Sequence, residues 1–162
     1  MRKHHALIGL AVIVAAGGWY AFRPERLFVN KTVNESLVTT PDAMAAAAPM
    51  TLALGSFHSN AHDTRGTATV IDVGRGRRVL RLTNFATSNG PDVRIYLVAA
   101  PDVQDDATVK TAGFVELGAM KGNIGDQNYD IPATVDLANY RTVTIWCKRF
   151  SVNFGSAPLA KS

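Results

Sequence analysis

From residue 51 onward, apolar and polar residues alternate in short runs. In "VRIYLVAA", Val93, Ile95 and Leu97 interleave with Arg94 and Tyr96, a period of two that marks a half-buried strand. "TATVIDV", "RRVLRLTNF", "GFVEL", "QNYDI", "RTVTIWC" and "FSVNFG" read the same way, with glycine-, proline- and asparagine-bearing breaks such as "SNGPD" and "KGNIGD" between them. No segment after residue 50 holds a sustained helical period. The pattern predicts an all-β domain over residues 51–162, an antiparallel β-sandwich of about seven or eight strands.

Before residue 51 the pattern differs. Residues 6–22, "ALIGLAVIVAAGGWYAF", carry no charge, and a helix needs roughly 17–25 such residues to cross a hydrocarbon core. A cleaved signal peptide, with its apolar region at residues 7–16, competes with this reading. Trp19 and Tyr20 suit an interfacial belt better than the start of a mature chain, so residues 1–22 are expected to be a transmembrane anchor. Residues 23–50, with an alanine-rich stretch flanked by Pro41 and Pro49, read as a flexible stalk. This places the folded domain outside a membrane, facing the periplasm or the cell exterior, with the membrane as a partner through residues 6–22.

Composition supports one folded domain, being 47% hydrophobic and 19% charged. The net charge of +4 is diluted in the domain, where twelve Lys or Arg stand against ten acids. That excess is too small for a nucleic-acid face, and the one basic cluster, "GRGRR", reads as a solvated hairpin turn.

The candidate chemistry centres on a single thiol. In "TVTIWC", Val143, Ile145 and Cys147 fall on one strand face, and Phe150, Val152 and Phe154 share a face in the next strand. Cys147 is thus expected behind a wall of Val143, Ile145, Phe150 and Val152, and its plain reading is a small, inert, buried hydrophobe. One cysteine excludes an intrachain disulfide, a C-x-x-C pair and a C-x-x-C-H haem attachment. No His or Met follows it to supply a blue-copper site. A cysteine hydrolase would need His58 or His62 as base. On a strand those two histidines would stand roughly 13 Å apart, so only a loop would let His58 and His62 hold one metal ion.

The order Gly55-x-Phe57, His62, Gly66-x-Ala68, "NGPDVRIYL", "LGAMKGNIGDQNYDIP" and "VTIWCKRFSVNFGSAPL" resembles the DM-thirteen domain, named for electron transfer, across about residues 51–160. "RLFVNKTVNE" is similar to the juxtamembrane stretch of anchored bacterial members. The resemblance implies a sandwich related to DOMON domains, which include haem and sugar binders. It also implies that the cysteine matching Cys147 works as a free redox thiol or as a ligand to a prosthetic group; with haem or a metal ion as that group, Met120, His58 or His62 is the residue expected opposite it. Gly90, Pro91, Asp92, Gly118, Gly122 and Gly125 have plain roles as turn residues, and Tyr129, Trp146 and Phe150 as core aromatics.

Two functions are therefore open. One is a membrane-tethered redox or electron-transfer module of the envelope, serving a redox partner protein and not an enzyme in its own right. The other is a non-catalytic ligand-binding or adhesion sandwich whose cysteine is structural.

Overall fold

Alternating strands fold into two five-stranded antiparallel sheets that bury their apolar faces against each other. The computed structural model describes residues 2–22, 29–37 and 48–162, and within the first of these the side chains of residues 9–20. Sheet one contains β1 (Met50–Ser56), β3 (Arg65–Asp72), β4 (Arg78–Ala86), β7 (Gln127–Ile131) and the short β10 (Ala160–Lys161), in the order β10-β1-β3-β4-β7. Sheet two contains the short β2 (His58–Ser59), β5 (Val93–Val98), β6 (Phe114–Ala119), β8 (Thr142–Cys147) and β9 (Val152–Pro158), in the order β2-β9-β8-β5-β6. Seven of the ten described strands, β3 to β9, carry the predicted runs; β1 was not among them, and β2 and β10, two residues each, are too short for any period to show.

The main core lies between the sheets. Ala68, Val70, Leu80 and Leu82 from sheet one meet Ile95, Leu97, Val143 and Ile145 from sheet two, all fully buried. The outer face of sheet two is covered as well, because Tyr96, Val98 and Trp146 pack under Val103 and Val109 in a second apolar cluster. Val109 belongs to α2 (Asp106–Thr111), a helix the sequence reading did not foresee. Six residues are too few for a helical period, but its cap was visible: Asp105 accepts a hydrogen bond from the Thr108 N–H. Double coverage explains why all six residues of β8 are buried, polar Thr142 and Thr144 among them. Thr142 donates to the Ala100 carbonyl, and Thr144 bonds the Ser156 hydroxyl.

The N-terminal helix α1 runs Arg2–Phe22. Among the described residues no helix is long and apolar enough to cross a membrane. The described side chains of α1 span residues 9–20, about 18 Å at 1.5 Å per residue against a hydrocarbon core of about 30 Å. A helix therefore stands where a membrane span was expected, and the span itself is not established.

The stalk needs a larger correction. Its alanine-rich part lies outside the described residues, but residues 29–37 lie along the domain and bond to it. The N–H groups of Val33 and Glu35 donate to the carbonyls of Ile124 and Asp126, and Thr32 bridges Ile124 in parallel. Leu37 covers an apolar patch of Ile71, Val73 and Val79 on the outer face of sheet one. Nine residues assigned to a flexible spacer thus form part of the folded unit.

Candidate functional site

Cys147 closes β8, paired with Val93 of β5 on one side and Val152 of β9 on the other. Its side chain is 0% exposed and belongs to the core between the sheets. The expected wall is present except for Phe150, which is 57% exposed. Two features displace it. Residues 148–151 form a turn in which Ser151 takes a φ of 55°, and a β-bulge between Ile145 and Trp146 shifts the pairing of β8 with β9. Simple alternation from Phe150 to Phe154 fails across the turn, and Phe154 alone of the expected aromatics on that strand enters the core.

Immediately after the thiol, Lys148 and Arg149 are exposed, and the Lys148 N–H donates to the Asp92 carbonyl. The "GPD" turn and the β8 end are thereby tied together. A side chain at Gly90 would press on Val93 Cγ2 and the Phe154 ring. Glycine is needed there so that the turn can close over these two core residues.

Of the other candidate residues, Met120 and His62 lie against Val93 and Phe154, and His58 does not. The Met120 N–H donates to the Val93 carbonyl, and its half-buried side chain packs on the main core. His62 lies against Phe154, with ring centroids 3.9 Å apart and planes tilted by 45°, and its backbone N–H donates to the Phe154 carbonyl. Cys147, Met120 and His62 therefore surround the neighbourhood of Val93 and Phe154. His58 is held elsewhere: it lies in β2, and its Nε2 is 2.9 Å from Asp102 Oδ1. Burial opposes ionisation of the Asp102 carboxyl, but hydrogen bonds from His58, Gln104 and the Val103 N–H outweigh it and hold its pKa below the usual carboxylate value.

These positions decide what the site accepts. Among the described residues no group of three His, Cys, Asp or Glu is arranged to hold a metal ion. The thiol has no exposed face to offer a metal or a haem iron, and four clefts on the surface are lined by other residues. Among the described residues no set of three such ligands assembles around Cys147, and the chemistry at hand there is that of its thiol.

The segment "LGAMKGNIGDQNYDIP" has a structural logic that single residues did not reveal. Gln127, fully buried, accepts from the N–H groups of Lys121 and Gly122 and donates to the Gly122 carbonyl. The Tyr129 hydroxyl donates to Gln127 Oε1, 2.8 Å away, and burial pushes its phenol pKa far up. This clamp shapes the loop before β7 so that it receives residues 29–37. A Cβ at Gly122 would strike the Lys31 carbonyl, and one at Gly125, where φ is 99°, would strike the Val33 carbonyl. Both glycines are therefore fixed by close approach of a second backbone. Lys121 Nζ binds both Glu35 oxygens at 2.8 Å, and the Asn128 N–H reaches the same carboxylate. Burial opposes charge on Glu35, but these hydrogen bonds and the charges of Lys121 and Arg81 prevail and lower its pKa.

This docked segment escaped the sequence reading. The polar anchors Lys31 and Glu35 were its only local signal, since "NKTVNES" has no apolar period long enough to mark an element. It contributes walls to three of the clefts, including one of about 490 Å³ that Met120 also lines.

A family model described as electron transfer DM13 matches residues 56–159, a range that takes in Cys147, Met120, His58 and His62. No curated protein and no solved structure matches the chain.

Proposed function

Because the chain belongs to the electron transfer DM13 family, we propose that it is a redox-related module of the bacterial envelope in which the Cys147 thiol is the reacting group. Residues 6–22 hold the domain at the inner membrane, facing the periplasm or the cell exterior, where a redox partner protein meets it. The observation that carries this reading is the placement of the chain's single thiol. It sits at the last residue of β8, inside the sandwich but one residue from an exposed turn bearing Lys148 and Arg149. An apolar enclosure protects a thiol from adventitious oxidation, and opening of the turn would expose it to a partner. The tether is supported by α1, on which Leu10, Val12, Ile13, Val14 and Trp19 are all 60–69% exposed. Such a surface is stabilised by lipid rather than water.

The test is a Cys147→Ala variant of the full chain, expressed in its native membrane and compared with the parent. The reading requires that the variant keep its fold and its place in the membrane fraction yet lose the envelope redox phenotype. Retention of that phenotype overturns it.

A second reading, a ligand-binding sandwich with a structural cysteine, is favoured by the full burial of Cys147. Its site would be the cleft of about 400 Å³ at the opposite end, where Leu52, Leu137 and Leu159 lie beneath Arg141 and Lys161. That chemistry suits an anion with an apolar body.

A further inference from the structure

Strand register on the outer face of sheet two aligns a set of aromatic rings with one carboxylate. Tyr96 pairs with Glu116 across β5 and β6, Val98 with Phe114, and Arg94 with Trp146 across β5 and β8. Side chains two apart share a face, so Phe114, Tyr96 and Trp146 meet there. Phe114 stacks on Tyr96 with centroids 4.3 Å apart and planes within 5°, and Tyr96 lies 6.3 Å from Trp146 at 27°. Phe114 is 46% exposed, Tyr96 only 1%. The stack runs from solvent to the residue adjoining Cys147.

Tyrosine and tryptophan are the two side chains in this stack able to give up one electron, and an oxidised phenol is a strong acid that needs a proton acceptor at hand. The Tyr96 hydroxyl donates to Glu116 Oε2 at 3.5 Å. That carboxylate is held in place by Arg94 on Oε1 at 2.9 Å and by Lys148 on Oε2 at 3.2 Å. The other buried tyrosine, Tyr129, donates to the amide oxygen of Gln127, which cannot accept a proton in the same way.

We propose that Tyr96 and Trp146 form a one-electron conduit opening at the Phe114 face, with Glu116 as its proton acceptor. A high-potential one-electron metal oxidant approaching Phe114 takes one electron from the Tyr96 phenol. The O–H bond breaks, the proton passes to Glu116 Oε2, and a neutral phenoxyl radical remains on Tyr96 while the oxidant is reduced by one electron. Trp146 exchanges with it: an indole electron and the Glu116 proton together restore the Tyr96 phenol, leaving a tryptophan radical cation and the carboxylate. The conduit rests on the redox-related reading above, but it is defined without Cys147.

The test uses the full chain with Trp19, Tyr20 and Tyr140 replaced by Phe throughout, because the first two are exposed, and photogenerated tris(bipyridine)ruthenium(III) as oxidant, with the radical identified by transient absorption and electron paramagnetic resonance. The parent is expected to give a tyrosyl radical. Tyr96→Phe keeps the ring stack and should replace that signal with a tryptophan radical, which the pair Tyr96→Phe and Trp146→Phe then abolishes. Glu116→Gln leaves both rings in place and should slow tyrosyl formation by about 10²-fold, the scale of a lost general base. A tyrosyl yield unchanged by Tyr96→Phe, or a rate unchanged by Glu116→Gln, overturns the proposal. A radical that depends on Tyr96 alongside an inert Cys147 sustains the conduit and overturns the thiol reading. A radical independent of Tyr96 alongside a reactive Cys147 does the reverse.

Discussion

Replacing Glu35 with alanine tests whether residues 29–37 are part of the domain. The substitution removes the acceptor for Lys121 Nζ and for the Asn128 N–H, each 2.8 Å away. A hydrogen bond to a charged group contributes about 1.5–3 kcal/mol, whereas an exposed ion pair contributes only about 0–1. The Lys121 and Glu35 side chains are 41% and 33% exposed, so the ion-pair share belongs at the lower end. The bond from the Asn128 backbone is less screened, and the combined loss should be about 1–2 kcal/mol. Urea unfolding of the full chain should show a lower midpoint with an unchanged slope. Pairing Glu35→Ala with Lys121→Met should give a coupling of at least about 0.5 kcal/mol. The effect should also depend on pH. The Glu35 pKa is lowered by folding, so its contribution is complete above the ordinary value of 4.5 and disappears as pH falls through the folded-state value. A loss below about 0.5 kcal/mol, no more than an exposed pair gives, would refute the docking and restore the flexible stalk.

The remaining expectations concern the turns, the acid limb and the thiol. Gly125→Ala should cost about 1–3 kcal/mol for its φ of 99° and more for the collision with Val33, and much of the excess should vanish in a chain lacking residues 29–37, as measured by thermal unfolding. The Asp102 pKa is likewise lowered, so its bonds to His58, Gln104 and Val103 stabilise the fold above the ordinary value of 3.8 and are lost below it; Asp102→Asn should flatten the acid limb of the stability curve there. Cys147→Ala should cost about 1–2 kcal/mol, and Cys147→Ser more, because a hydroxyl in the apolar core lacks a partner at a cost of about 1–3 kcal/mol. Equal stability of the two variants in denaturant would show that the site is wetter than its burial implies.

Period-two alternation made the sandwich legible, because burial of one face per sheet imposes that period directly on the sequence. Val143, Ile145 and Cys147 were placed on the inner face for this reason, and the structure puts all three there. Phe150 was misplaced because a turn residue at positive φ and a bulge break the period, and neither leaves an apolar signature. The covering of the outer face of sheet two was also invisible. Trp146 was read as a core aromatic and is buried, but in the second cluster under Val103 and Val109 rather than between the sheets. Residues 29–37 were misread for a related reason: their anchors are backbone groups around Ile124 and Asp126, some ninety residues away, and backbone bonds have no sequence code. Met120 and His62 reach Val93 and Phe154 from loops after β6 and β2, long-range contacts that no local pattern specifies.

The most direct test of the redox-related role is the oxidation state of Cys147 itself in the full chain. Membranes carrying the parent protein would be equilibrated across a series of thiol–disulfide potentials, and the thiol scored at each by differential alkylation and mass spectrometry. The thiol reading requires that Cys147 exchange with the buffer disulfide, forming a mixed disulfide and releasing one buffer thiol, with a defined midpoint while the domain stays folded. A Cys147 that remains reduced at every potential, and reacts only once the sandwich has been unfolded, would show it to be a structural residue and contradict the account.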